Sequence, residues 1–159
     1  KIDKIENLSN NSHLSQLGPE PLHKNFNYIY FINYCQNRER SVKNLLMDQK
    51  FVSGLGNIYV NEILFLSKIN PKRNIKKLKS IEIDKIIFNT KKILKKAIKF
   101  GGSSIKDFSS STGKKGNYQQ HFSVYGMRGS KCTNNDCKSL IQKIVISNRS
   151  SFFCPNCQK

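Results

Sequence analysis

Five cysteines stand in the 159-residue chain, and four of them crowd its last 28 residues: Cys132, Cys137, Cys154 and Cys157. Their spacing is C-x4-C, sixteen residues, then C-x2-C. Two close pairs of thiolates suit a tetrahedral ion, so the pattern predicts a four-thiolate zinc ribbon with one Zn2+ per chain. Each pair forms a knuckle that points two sulfurs at one ion, and the interval is expected to be a hairpin that brings the knuckles together. The other use of four cysteines, two disulfides, needs an oxidising compartment. The amino terminus, KIDKIENLSNNSH, has no hydrophobic signal core that would lead there. About thirty residues bury too little apolar surface to fold unaided, so the metal is expected to supply much of the module's folding free energy. None of the three histidines is expected to join it. Cys35 lies in an apolar stretch and reads as a buried thiol.

Two glycine-marked segments are further candidates for chemistry. In Gly54-Leu55-Gly56-Asn57, two glycines flank one residue and Asn57 opens a helix. Free backbone N–H groups and the positive end of a helix dipole suit a phosphate oxygen. An ordinary helix-to-helix turn uses the same residues, and four positions do not separate the two. The second segment, residues 101–120, is rich in glycine and serine. It has little to bury and is expected to be a mobile lid over a ligand. A plain linker between a helical and a zinc module has the same composition.

Helices must position these groups. Residues 24–37 are apolar on more than one face and predict a partly buried helix; Ser41 is the expected N-cap of a short helix over 41–47. Helical spacing resumes over 58–68 and stops at Pro71. The clearest helix spans 80–100, where Ile83, Ile86, Ile87, Ile93, Leu94, Ala97 and Ile98 recur at steps of three and four. Glu82 and Asp84 open it and five lysines close it, matching the helix dipole, before Gly101-Gly102 stops it. Between the knuckles, residues 141–146 alternate as a strand, Ser147-Asn148-Arg149-Ser150 is the expected turn, and Phe152-Phe153 leads into the second knuckle.

The net charge is +18, distributed unevenly: residues 1–50 hold seven basic and five acidic side chains, residues 51–159 hold 21 and five. Such a field attracts polyanions. A chain rich in Lys, Asn and Ile, of the kind an AT-biased genome encodes, carries the same surplus without a partner. Motifs must decide. No apolar run approaches the roughly 20 residues a membrane span needs.

Six motifs recur in a recognisable order: Gly18-Pro19-Glu20-Pro21-Leu22; Leu46-Met47-Asp48-Gln49-Lys50; Gly54-Leu55-Gly56-Asn57-Ile58-Tyr59 with Glu62; Gly101-Gly102-Ser103-Ser104-Ile105-Lys106-Asp107-Phe108; Val124-Tyr125-Gly126; and the ribbon closing Cys154-Pro155-Asn156-Cys157-Gln158-Lys159. From about Leu14 onward the chain resembles the carboxy-terminal part of the bacterial formamidopyrimidine-DNA glycosylases. The sister endonuclease VIII family, which acts on oxidised pyrimidines, shares the GLGN turn and the ribbon but departs from the Ile-Tyr and the GGSSIKDF loop. Members usually have C-x2-C at the first knuckle, so Cys132 and Cys137 depart from the pattern.

The resemblance implies a mainly α fold: a helix-two-turn-helix DNA-binding domain followed by a small β-hairpin zinc ribbon. Residues 1–13 would be the remnant of a linker from an absent amino-terminal β-domain. Residues 14–118 would form the helical domain, with a lesion loop over 101–118, and residues 119–159 the zinc finger. It implies base-excision repair of oxidised purines (8-oxoguanine and formamidopyrimidines) by a bifunctional glycosylase and abasic-site lyase that flips the damaged nucleotide out of the duplex. Its nucleophile is an amino-terminal proline beside a glutamate. Here the chain begins Lys1-Ile2-Asp3, so these residues alone are expected to be inactive, a zinc-ribbon module that grips nucleic acid. Lys43, Asn57 and Arg149 match positions that hold DNA phosphates, with Lys50 a further contact, and Arg149 also matches the proton donor of the δ-elimination. Ser103, Ser104, Lys106 and Tyr118 match the loop that closes over the flipped base, and Glu62 is expected to be structural. The implied partner is damaged double-stranded DNA, bound by a monomer in the bacterial cytoplasm at the nucleoid.

Overall fold

A computed structural model describes residues 14–103 and 116–159. The expected linker remnant 1–13 lies outside them, as do Ser104 and Lys106. The elements follow in the order α1 (Tyr28–Cys35), α2 (Val42–Leu46), α3 (Asn57–Leu66), α4 (Ser80–Lys99), β1 (Gln142–Ile146) and β2 (Arg149–Phe153). This is the mainly α architecture with a terminal hairpin that the sequence predicts.

Capping sets the helix limits. Helix α1 begins at Tyr28 rather than near residue 24 because the Asn27 side chain accepts the Tyr30 N–H at 3.0 Å. Ser41 caps α2 as expected, accepting the Asn44 N–H at 3.2 Å. Helix α4 opens where Glu82 accepts the Lys79 N–H at 2.7 Å. It closes at Gly101 and Gly102, both at positive φ, 73° and 81°.

The helical core gathers on Phe51. Its ring stacks on Tyr30 at 5.7 Å and meets Phe31 edge-on at 5.1 Å. Gly18 lies so close to the Phe51 carbonyl that any Cβ there would collide with it. Val60, Ile63 and Leu64 of α3 and Ile83, Ile86, Ile93 and Ala97 of α4 complete this core. A second core forms under the hairpin from Val124, Cys132, Ile141, Phe152 and Cys154, and Phe65 of α3 joins it. One helix therefore belongs to both.

Strands β1 and β2 pair antiparallel, with Gln142 opposite Phe153 and Ile146 opposite Arg149. Ser147 and Asn148 alone make the turn, at φ 46° and 59°. Left-handed residues at both central positions match the twist of the flanking strands. Arg149 thus leaves the turn, where the sequence placed it, and opens β2. The burial also falls on β2: Ser151, Phe152 and Phe153 are buried, whereas Val145 of β1 is 67% exposed.

Polar side chains of α3 fasten the zinc region. The carboxylate of buried Glu62 accepts the N–H groups of Ser123, Val124 and Tyr125 at 2.8, 3.0 and 2.8 Å. Burial pushes its pKa up, opposed by those three N–H bonds. Asn61, also buried, accepts the Phe152 N–H at 2.6 Å and donates to the Asn57 carbonyl at 2.6 Å. At the chain end, Gln158 donates to the Ile69 carbonyl and accepts the Cys154 N–H, both at 2.8 Å. Replacing Glu62 by glutamine removes an acceptor oxygen and turns an NH2 toward backbone N–H donors. Glu62→Gln is expected to cost about 2–3 kcal/mol of stability, read as a lowered urea midpoint with zinc still bound.

Candidate functional site

The four ribbon cysteines converge. All four sulfurs lie within 4.8 Å of one another, with Cys132 and Cys157 3.8 Å apart and Cys137 and Cys154 3.6 Å apart. A tetrahedron of Zn–S bonds of about 2.3 Å has edges of roughly 3.8 Å, so the set fits zinc. None of the five cysteines is in a disulfide. The longer first knuckle closes through the Cys137 N–H, which bonds the Asn134 carbonyl at 3.0 Å. That loop carries a donor: the Asn134 amide donates to the Cys157 sulfur at 3.1 Å, and from the second knuckle Asn156 donates to the Cys137 sulfur at 3.5 Å. Such donors hold thiolate ligands in place. Four protein sulfurs fill a tetrahedral ion's positions and leave none for a substrate. The site is structural. Cys35, by contrast, is half-buried, and burial pushes its thiol up to about 11.

Next to the ribbon, α2, α3 and β2 bring Lys43, Asn57 and Arg149 together. The Lys43 ammonium donates to the Ser150 carbonyl at 2.9 Å and to Ser151 Oγ at 2.6 Å. The Asn57 amide donates to the same Ser150 carbonyl at 3.0 Å. Two helices thus end on one peptide group, the residue after Arg149. Lys43 is 1% exposed, whereas Arg149 is exposed and, among the described residues, forms no ion pair. Burial, aided by the Arg149 charge, pulls the Lys43 ammonium down to about 8.

The turn before α3 leaves the opening of that helix without a side-chain cap. Gly54 sits at φ 79°, and the Gln49 side chain spans the turn, accepting the Gly54 N–H at 2.7 Å and donating to the Leu55 carbonyl at 3.0 Å. Gly56 is the N-cap and supplies no side-chain oxygen, so no side chain caps the opening N–H groups of α3. Lys50 is exposed nearby.

Of the expected loop residues, Ser103 and Tyr118 lie among the described residues, and both meet Tyr59 of α3. Ser103 pairs with Asn117 in a β-bridge, and its hydroxyl is 3.3 Å from the Tyr59 hydroxyl. Tyr118 is buried against Tyr59 and Phe122, and burial pushes its phenol up to about 12. Both residues stand at the root of the 101–118 segment. Asn61, Gln158 and Ser151 were missed as site supports; they carry no sequence signal beyond being polar at positions that fold inward. Among the described residues no helix is long and apolar enough to cross a membrane.

A helical module welded to a four-cysteine zinc ribbon is the class this geometry defines. Residues 17–109 match the formamidopyrimidine-DNA glycosylase H2TH domain, and residues 129–159 match the zinc finger found in FPG and IleRS. The chain belongs to the formamidopyrimidine-DNA glycosylase H2TH family. It is 42% identical to the formamidopyrimidine-DNA glycosylase of Roseobacter denitrificans, over 99% of this chain and 56% of that protein. Identity to the Legionella pneumophila (strain Lens) enzyme is also 42%, over 91% and 52%. Among solved structures, Thermus thermophilus MutM superposes with a TM-score of 0.84 at 33% identity, covering 91% of this chain and 55% of that one. Lactococcus lactis Fpg, solved with DNA containing an abasic site, gives 0.88 at 37%, covering 98% and 56%. The chain spans about half the length of these relatives.

Two outcomes are expected. Cys154→Ser abolishes stoichiometric zinc, measured by atomic absorption, and leaves the helical circular dichroism nearly intact; one zinc retained would remove Cys154 from the ligand set. For Lys43 the unfolded chain keeps a proton that the folded chain has released between pH 8 and 10.5. This group's contribution to stability therefore rises with pH across that window. Lys43→Met is expected to erase that rise when urea midpoints of the two proteins are compared from pH 7.5 to 10.

Proposed function

We propose that this chain is the DNA-gripping part of a base-excision repair enzyme, a bifunctional glycosylase and abasic-site lyase for oxidised purines such as 8-oxoguanine and formamidopyrimidines. The observation that carries the reading is the shared carbonyl of Ser150, on which Lys43 and Asn57 both end. It sets the exposed Arg149 beside the uncapped amino end of α3. Phosphate oxygens fit there: a guanidinium supplies directed donors and the helix end supplies N–H groups. Solved relatives lend support, since Lactococcus lactis Fpg was crystallised with abasic-site DNA and a mutant of it with Fapy-dG DNA.

In this reading Arg149 and Asn57 clasp one distorted strand. Lys43 acts from beneath, holding the hairpin and adding positive charge to the site, and Lys50 meets an outer phosphate. Arg149 is also the proton donor of the δ-elimination. Residues 14–118 form the helical domain and 119–159 the zinc finger. The 101–118 segment, with Ser103, Ser104, Lys106 and Tyr118, closes over the flipped base. The zinc holds the hairpin that carries Arg149. The amine nucleophile belongs to the portion of such an enzyme beyond the half matched here. A monomer on DNA in the bacterial cytoplasm, at the nucleoid, follows from the same role.

Binding to an abasic-site duplex tests the grip. Arg149→Ala is expected to weaken it and to reduce the slope of log K against log salt by about 0.9, one phosphate contact. An unchanged slope removes Arg149 from the interface. Borohydride trapping tests the division of labour: the 159-residue chain is expected to form no covalent adduct with abasic DNA. Fusing an upstream domain that begins Pro-Glu is expected to restore both trapping and base release.

A further inference from the structure

Helix α4 looks two ways. Ile83, Ile86, Ile93 and Ala97 bury one face against the core it shares with α3. At about 100° per residue, Phe88 falls opposite that row, and it is 65% exposed. Around it stand Lys85, Lys92, Lys95 and Lys99, all exposed. The carboxylates on the helix do little to offset them. Glu82 is held by Arg73 at 2.7 Å, leaving only Asp84. Among the described residues, none of these four lysines has an ion-pair partner.

Helix stability accounts for part of this charge and not the rest. Lysines in the last turn answer the helix dipole, an effect confined to that turn, so it covers Lys99 and leaves Lys85 and Lys92 unexplained. Nor does folding favour a large exposed aromatic ring at the centre of the row. The lysines from 85 to 99 extend over about 21 Å at 1.5 Å per residue. Phosphates on one strand of B-DNA repeat every 3.4 Å or so along the axis, so the row can follow about six base pairs. Charge complementarity thus favours a duplex. An anionic membrane would be met by the same lysines, but the apolar residues on this face are separate side chains rather than a continuous stripe.

We propose that the outer face of α4 holds a second segment of duplex DNA, so that one chain bridges two segments. The surface faces away from α3, and therefore away from Asn57 and Arg149. The bridging rests on the grip proposed for those residues; the α4 surface does not.

Titration of the full chain with a short labelled duplex tests it, using K85Q/K92Q/K95Q and, separately, Arg149→Ala. Wild type is expected to take up two duplexes, the second with the steeper loss on adding salt. The triple variant is expected to take up one, with affinity for that first duplex unchanged. In the wild type, the three substituted lysines account for about 2.7 of the salt slope of the second step. One duplex on wild type, or two on the triple variant, overturns the proposal. A second step that survives while Arg149→Ala leaves the first untouched would sink the Arg149 reading and keep the α4 surface. Sedimentation with phosphatidylserine vesicles that depends on the same lysines, without a second duplex, would assign the face to membranes and overturn the DNA reading.

Discussion

Everything that makes a site of this chain passes through α3. The helix contributes Val60, Ile63 and Leu64 to one core and Phe65 to the other, and between them it turns inward two polar side chains that no apolar core would accept alone. Glu62 and Asn61 are tolerated there because each is matched by backbone donors: three successive N–H groups for one, the Phe152 N–H for the other. Buried polar groups matched in this way specify a single arrangement, since any shift leaves donors and acceptors unpaired at high cost. The orientation of the zinc region on the helices is tied to hydrogen-bond geometry as well as to apolar packing. That is the kind of constraint a site shared between two small modules requires.

The metal and the lysine act on the hairpin from opposite ends. Zinc fixes the base, where Cys154 follows β2. Lys43 fixes the tip end, where Ser150 and Ser151 follow Arg149. Neither suffices. A metal-locked base leaves a two-stranded ribbon free to lean, and two strands alone are marginal in water. The buried ammonium carries a desolvation cost, visible in its lowered pKa. A buried charge beside a cationic arginine is poor for stability and good for an electropositive surface.

The helices and the ribbon were readable from the sequence because their signals are local. Spacing of apolar residues, caps at Ser41 and Glu82, paired glycines after α4 and paired cysteines each speak within a few positions. The site was readable only in pieces. Asn57 and Arg149 came forward through the family motifs, while their common end on Ser150 depends on a contact across 93 residues. Lys43 looked like an outward phosphate contact, yet the second position of a short helix packed under the hairpin turns it inward. Arg149 was placed in the turn because four polar residues follow β1, and nothing local says that two of them suffice.

The root of the segment between α4 and the zinc region has a consequence for how such chains diverge. Gly102 accepts the Tyr118 N–H at 3.0 Å, Phe100 accepts the Asn117 N–H at 3.0 Å, and Ser103 bridges Asn117. Gly116 lies against the Gly102 carbonyl too closely for any side chain. The chain therefore departs and returns through one closely paired root, residues 100–103 against 116–118. Closing a longer stretch adds only about 0.6 kcal/mol per doubling of length. Evolution can lengthen, shorten or rewrite that stretch while the two ends that hold it stay as they are.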